Sequence, residues 1–208
     1  MNMLDYDNNY CEVTGTIEEL PKLSHEIYGE KFYTLKLKSE RLSKSFDYLN
    51  ITVSEKLISD LNLEENVTNV HVTGQFRSYN NFSGIGNKLI LTLFAKEFKV
   101  LNDDDYECVN YIMLEGFLCK PPVYRVTPFG REITDILLAV NRIHNKSDYI
   151  PLITWGKNAK FSSSLTTGDK IKITGRIQSR DYQKKLDNDE TVTKTAFEVS
   201  VSKIEKID

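Results

Sequence analysis

The chain has 208 residues, 40% hydrophobic and 27% charged, which fits two small domains of about 100 residues, each able to bury a core. No run of 18 apolar residues occurs, which excludes a membrane-spanning helix, and Met1 to Asn9 is polar and acidic without the apolar centre of a secretory leader, so a cytoplasmic protein is expected. The net charge of −3 hides a split: residues 1–105 carry 11 Lys/Arg against 17 Asp/Glu, residues 106–208 carry 16 against 13, and nucleic-acid affinity follows where the cations sit.

In chain order, the first predicted element is the strand Asn9-Tyr10-Cys11-Glu12-Val13-Thr14-Gly15-Thr16-Ile17. Gly29 predicts a hairpin turn, and Thr34 to Lys38 alternates apolar with polar side chains, as a half-buried strand does. Ile51-Thr52-Val53 marks a third strand, Ser54 to Leu61 a helix and Val70 to Phe76 a fourth strand, and Gly84-Ile85-Gly86 forms a turn before the fifth. Leu101 to Glu107 is short, acidic and aperiodic, a linker between domains at 1–103 and 108–208. Beyond it come a strand at Asn110 to Leu118, a turn at Pro128-Phe129-Gly130 and a denser apolar strand at Ile133 to Val140. Ile153-Thr154-Trp155 leads into a helix at Lys157 to Leu165, and strands follow at Ile171 to Ile177 and Phe197 to Val201.

The landmarks of the two halves keep step. Gly15 and Gly116 are 101 residues apart, as are Gly74 and Gly175, and Ile51-Thr52-Val53 sits opposite Ile153-Thr154-Trp155. A period near 100 is too long for a solenoid unit and implies two whole domains. Five strands with one short helix between the third and fourth is the OB arrangement, a five-stranded Greek-key barrel. The expected fold class is therefore all-β, two tandem OB barrels.

No catalytic constellation of Ser/His/Asp or Cys/His type is visible. Gly84-Ile85-Gly86 lacks the Lys-Ser/Thr and the helix of a phosphate loop. Cys11, Cys108 and Cys119 are odd in number and scattered, and read as reduced core thiols. His25, His71 and His144 are too far apart for a metal motif. A binding protein is expected, not an enzyme, with no cofactor and no metal.

Across residues 109–207 a series of segments follows in order: Glu115-Gly116-Phe117-Leu118, Pro121-Pro122-Val123-Tyr124-Arg125, Ile136 to Arg142, Ile153 to Ala159, Gly175 to Tyr182, and Thr195 to Val199. In this the second half resembles the bacterial single-stranded-DNA-binding protein family. The resemblance implies an OB fold that wraps single strands by aromatic stacking and basic side chains, with stacking positions on Tyr149, Trp155 and Tyr182, and also His144. That family carries a flexible acidic tail that recruits partner enzymes, whereas here Val201 to Asp208 follows the last strand directly. The family generally presents four OB domains, so a chain with two implies a homodimer.

A sequence-tolerant binder of single strands needs flat aromatic faces and cations along one groove. The second half offers Tyr149, Trp155, Tyr182 and Phe129, interleaved with Arg125, Arg131, Arg142, Lys157, Arg176 and Arg180. Trp155 alternates with Ile153 and would equally fill the core, Phe129 would equally be a plain hairpin tip, and Phe161 is expected to pack the helix. In the first half Val53 stands at the position of Trp155 and Ser54-Glu55 at that of Gly156-Lys157; it keeps Arg77, Tyr79, Asn80 and Phe82 near its fourth-strand loop, but is expected to keep the fold, lose most affinity, and serve structure or dimerisation. The expected function is binding of single-stranded DNA in replication, recombination or repair, with proteins of those processes as further partners and no membrane. Two alternatives stand beside it: a replication-restart accessory whose barrels contact other proteins, and an RNA-binding OB protein, since stacking accepts any base.

Overall fold

Strands that lay one face on a core must alternate buried and exposed side chains, and this pattern runs through the chain. A computed structural model describes residues 8–81, 89–143, 145–185 and 191–208. The first half contains β1 (Asn9–Ile27), β2 (Glu30–Glu40), β3 (Phe46–Ser54), β4 (Asn69–Asn80) and β5 (Leu89–Leu101). The second contains β6 (Asn110–Leu118), β7 (Val123–Val126), β8 (Glu132–Asn141), β9 (Ser147–Trp155), α1 (Lys157–Ser163), β10 (Lys170–Lys185) and β11 (Thr191–Ile207). The helix expected over Ser54 to Leu61 is only a three-residue 3₁₀ helix, Glu55–Leu57, capped by the Ser54 side chain accepting from the Lys56 amide. Asp60 and Asn62 follow it, side chains that compete with helical hydrogen bonds and favour turns. The expected linker holds a second 3₁₀ helix, Asp103–Asp105. The expected turn at Gly84 to Gly86 lies outside the described residues.

In the first half the pairing order is β2-β3-β5-β4-β1, and β1 also pairs β2, so five strands close on themselves. Beta-1 does this by bending: Cys11 to Thr16 faces β4, and from Thr16 onward the strand faces β2 through several bulges. The second half follows the order β6-β10-β11-β9-β8-β7, and Phe117 and Leu118 of β6 also pair with Ala139 and Leu138 of β8. This last pairing needs a glycine. A Cβ on Gly116 would lie 2.2 Å from the Ala139 carbonyl oxygen, and one on Gly15 would lie 2.5 Å from that of Lys38.

The halves join through β1 and β6, which pair antiparallel from Asn9–Leu114 to Val13–Asn110 and make one eleven-stranded sheet. Their apolar residues form a continuous core, from Cys11, Val13 and Ile17 through Ile112, Leu114 and Leu118 to Val199 and Val201. Among the described residues no helix is long and apolar enough to cross a membrane.

The pairings fix how the repeat aligns. Phe32 faces Ser54 as Ile133 faces Trp155, and Tyr33 faces Val53 as Thr134 faces Thr154. The counterpart of Trp155 is therefore Ser54, and Val53 corresponds to Thr154. Matching the two Ile-Thr pairs by identity sets this strand one residue out of register. Such a slip exchanges faces: Val53 is in the core, while Trp155 is not.

Candidate nucleic-acid interface

Side chains two apart on a strand share a face. On β9, Tyr149, Pro151, Ile153 and Trp155 therefore share one face, on which Ile153 is itself covered, while Ile150 and Leu152 enter the core. Tyr149 is 48% exposed and Trp155 38%, so the tryptophan is an outward residue and not core filling. Six residues of strand separate the two rings by about 20 Å. Trp155 faces Ile133 of β8, which faces Arg125 of β7, so the tryptophan and the arginine lie in one cross-strand row with a buried isoleucine between them. At the other end, Ala139 of β8 lies between Tyr149 on β9 and Phe117 on β6, leaving two outward aromatics flanking one small residue. Phe117 is not among the stacking positions expected from the sequence, although its outward parity in β6 is legible in the alternation.

The other candidates are spread along this half. Phe129 is 91% exposed at the β7–β8 tip, where the Gly130 amide donates to the Thr127 carbonyl at 2.8 Å. Arg131 follows it and Lys157 opens α1. Both are exposed, and neither has an ion pair among the described residues. Phe161 is partly exposed on α1 instead of packing it fully. Tyr182 of β10 pairs with Lys194 of β11, but its side chain, like all of His144, lies outside the described residues.

Most of the candidate arginines already have carboxylate partners. Arg125 donates to Asp135 at 2.7 Å, which raises its pKa, and Arg180 lies 3.7 Å from Glu198. Arg142 and Arg176 have a different task, because they hold the two halves together. The wholly buried Asp148 takes the Ser78 amide at 2.5 Å and the Arg142 guanidinium. Arg142 also donates to the Ser78 carbonyl at 3.1 Å, and the Tyr149 amide donates to the Ser78 hydroxyl at 2.8 Å. Burial pulls the Arg142 pKa down, but the hydrogen bond and charge of Asp148, helped by Tyr79, win and raise it.

The same clamp recurs 101 residues away. Asp47 takes the Ser179 amide at 2.6 Å, Arg41 donates to the Ser179 carbonyl at 2.9 Å and to Asp47, and the Tyr48 amide donates to the Ser179 hydroxyl at 3.0 Å. Here a second cation joins, Arg176 at 3.3 Å from Asp47, and its pKa is lowered by burial and by the charge of Arg41. Each clamp is an arginine and an aspartate from one half gripping a serine backbone of the other. The common spacing of Arg41 to Asp47 and Arg142 to Asp148 was the available signal.

The thiols differ from one another. Cys11 is a core thiol whose pKa burial and then Glu12 push well up, but Cys108 is exposed and Cys119 partly so. Among the described residues no cluster of His, Cys, Asp and Glu could hold a metal.

The outward aromatics of β9 and the rows beside them all fall inside one recognisable stretch. Residues 109–207 match the Single-strand binding protein family. The single-stranded DNA-binding protein of Clostridium tetani is 38% identical over 84 residues, 37% of this chain and 58% of that protein. Single-stranded DNA-binding protein A of Bacillus subtilis is 33% identical over 82 residues, 36% of this chain and 48% of that protein. The chain thus spans about half the length of these relatives. In fold it is similar to the wild-type single-stranded DNA binding protein from Thermus aquaticus, with a TM-score of 0.73 over 96% of this chain and 93% of that one, at 19% identity.

Proposed function

We propose that this chain is a non-catalytic, sequence-tolerant binder of single-stranded DNA, made of two OB barrels at 1–103 and 108–208, with its main binding face on the second. One observation carries the reading: Tyr149 and Trp155 stand outward on one strand, inside the stretch that matches the family. Two rings about 20 Å apart on a rigid strand suit a flexible strand whose bases can splay and stack, and a stiff duplex offers no such faces. Arg131 and Lys157 supply phosphate contacts, and the arginines already paired with carboxylates mainly position the surface. Two copies of the chain form a homodimer with four barrels, a closed two-fold pair being the commonest assembly. The setting is replication, recombination or repair.

A titration of the full chain against oligo-dT, oligo-U and duplex DNA tests this. Oligo-dT should bind more tightly than duplex, with affinity falling steeply as salt rises. Equal affinity for duplex, or no binding to oligo-dT at low salt, refutes it, and preference for oligo-U turns the reading to RNA.

A further inference from the structure

Duplication gives the seam between the halves two equivalent sides, and their charges differ. The groove beside Tyr48 is lined by Glu18, Glu19, Lys36, Asp181 and Phe197. Moved by 101 residues, the charged positions become Cys119 for Glu18, Lys120 for Glu19, Leu137 for Lys36 and Asn80 for Asp181. The strand pairings support the shift, since Ile17 faces Leu37 as Leu118 faces Leu138. Three carboxylates and one cation on the first side are thus replaced by a single cation, Lys120, on the side of Tyr149.

On that side a second aromatic waits in the first half. Tyr79 follows Ser78 in β4, so its Cα stands about 3.8 Å from that of the residue whose hydroxyl holds the Tyr149 amide. It is 36% exposed, and Arg142 of the other half lies 5.2 Å from its ring centroid. On the other seam the counterpart of Tyr149 is Tyr48, also partly exposed but sharing its groove with Glu18, Glu19 and Asp181, and the place of Tyr79 is taken by Arg180, which offers no aromatic ring.

We propose that a single strand running along β9 past Tyr149 crosses this one seam and stacks a base on Tyr79, so that the first half completes the binding face of the second. The inference rests on the single-strand reading above. Phosphates approach the side that carries Lys120 and are repelled from the side that carries the three carboxylates. The strand therefore has one crossing, not two, and Tyr48 serves as a control built into the molecule.

The test measures oligo-dT affinity of the full chain at low salt. Tyr79→Ala should raise Kd roughly tenfold, the loss of one stacked base. Tyr79→Phe, which keeps the ring, and Tyr48→Ala should each stay within about twofold of wild type. Asn80→Asp, an exposed change that plants the counterpart of Asp181 beside the path, should weaken binding several-fold, and the loss should shrink as salt rises. If Tyr79→Ala melts far below wild type, Asn80→Asp decides alone. No binding by wild type brings down the single-strand reading itself. Wild-type binding with Tyr79→Ala and Asn80→Asp unaffected, or an equal loss in Tyr48→Ala, overturns the crossing and leaves that reading in place.

Discussion

Replacing the buried aspartates of the two clamps should destabilise the protein unequally, and the structure says which loss is larger. Asp148→Ala removes a wholly buried carboxylate that takes Arg142 and the Ser78 amide. Breaking a buried pair costs about 3–5 kcal/mol because the remaining charge has no partner. Arg142 keeps some contact with water, which places the loss near the lower end, about 3 kcal/mol, or a Tm lower by about 6–12 °C in a protein of this size. Asp47→Ala removes the same bonds to Arg41 and Ser179, and it also leaves Arg41 and Arg176 facing each other with nothing between. Repulsion between like charges near a surface adds about 1 kcal/mol or more. Urea unfolding at pH 7, with calorimetry beside it, measures both. The expected order is Asp47→Ala worse than Asp148→Ala. A cost under about 1 kcal/mol for either, or the reverse order, would show that these contacts do not hold the halves.

Trp155→Ala should weaken oligo-dT binding by roughly 1–3 kcal/mol with little change in melting, and the indole fluorescence of wild type should be quenched on binding; a large drop in Tm with unchanged affinity would make Trp155 structural. Gly116→Ala should cost more than about 3 kcal/mol, since the new methyl group meets the Ala139 carbonyl; near-wild-type stability would mean that β6 and β8 can separate freely. Light scattering at micromolar concentration should give twice the 24.0 kDa of one chain, and a mass of one chain would rule out the homodimer.

What the sequence made legible was what local periodicity records. Thr34 to Lys38 alternates because one face of β2 lies on the core, and it falls inside that strand as expected. The spacing of 101 between glycines is legible because each allows a backbone approach that no side chain permits, as Gly15 and Gly116 show. The helix expected from Ser54 shrinks to a single 3₁₀ turn because a few residues of helical spacing do not outweigh Asp60 and Asn62. Shared Ile-Thr identities align Trp155 with Val53, one residue away from its true counterpart Ser54, because identity says nothing of hydrogen-bond register, which alone decides the face. Arg142 and Arg176 look like phosphate contacts in a string of letters. Their carboxylate partners become visible only when the β8–β9 hairpin brings Asp148 back beside Arg142 and the seam brings Asp47 to Arg176. Tyr79 is legible as an aromatic kept near the fourth-strand loop of the first half, but nothing in that half reveals that it lies near Tyr149.

The seam is built twice over within a single polypeptide, and this frees it from two constraints that bind separate subunits. Two loose copies meet at a rate set by their dilution, whereas tethered halves see each other at an effective concentration fixed by the connection, in the millimolar range for short linkers. The pair thus stays closed however scarce the protein becomes. Separate identical subunits must also accept every substitution on both sides at once. Here Ser54 and Trp155, or Asp181 and Asn80, occupy equivalent places and yet differ, while Arg41-Asp47-Ser179 and Arg142-Asp148-Ser78 are the same. Joining the halves lets one side of a symmetric object specialise, as contact with the proposed ligand would require, a strand that is itself directional with a 5′ and a 3′ end.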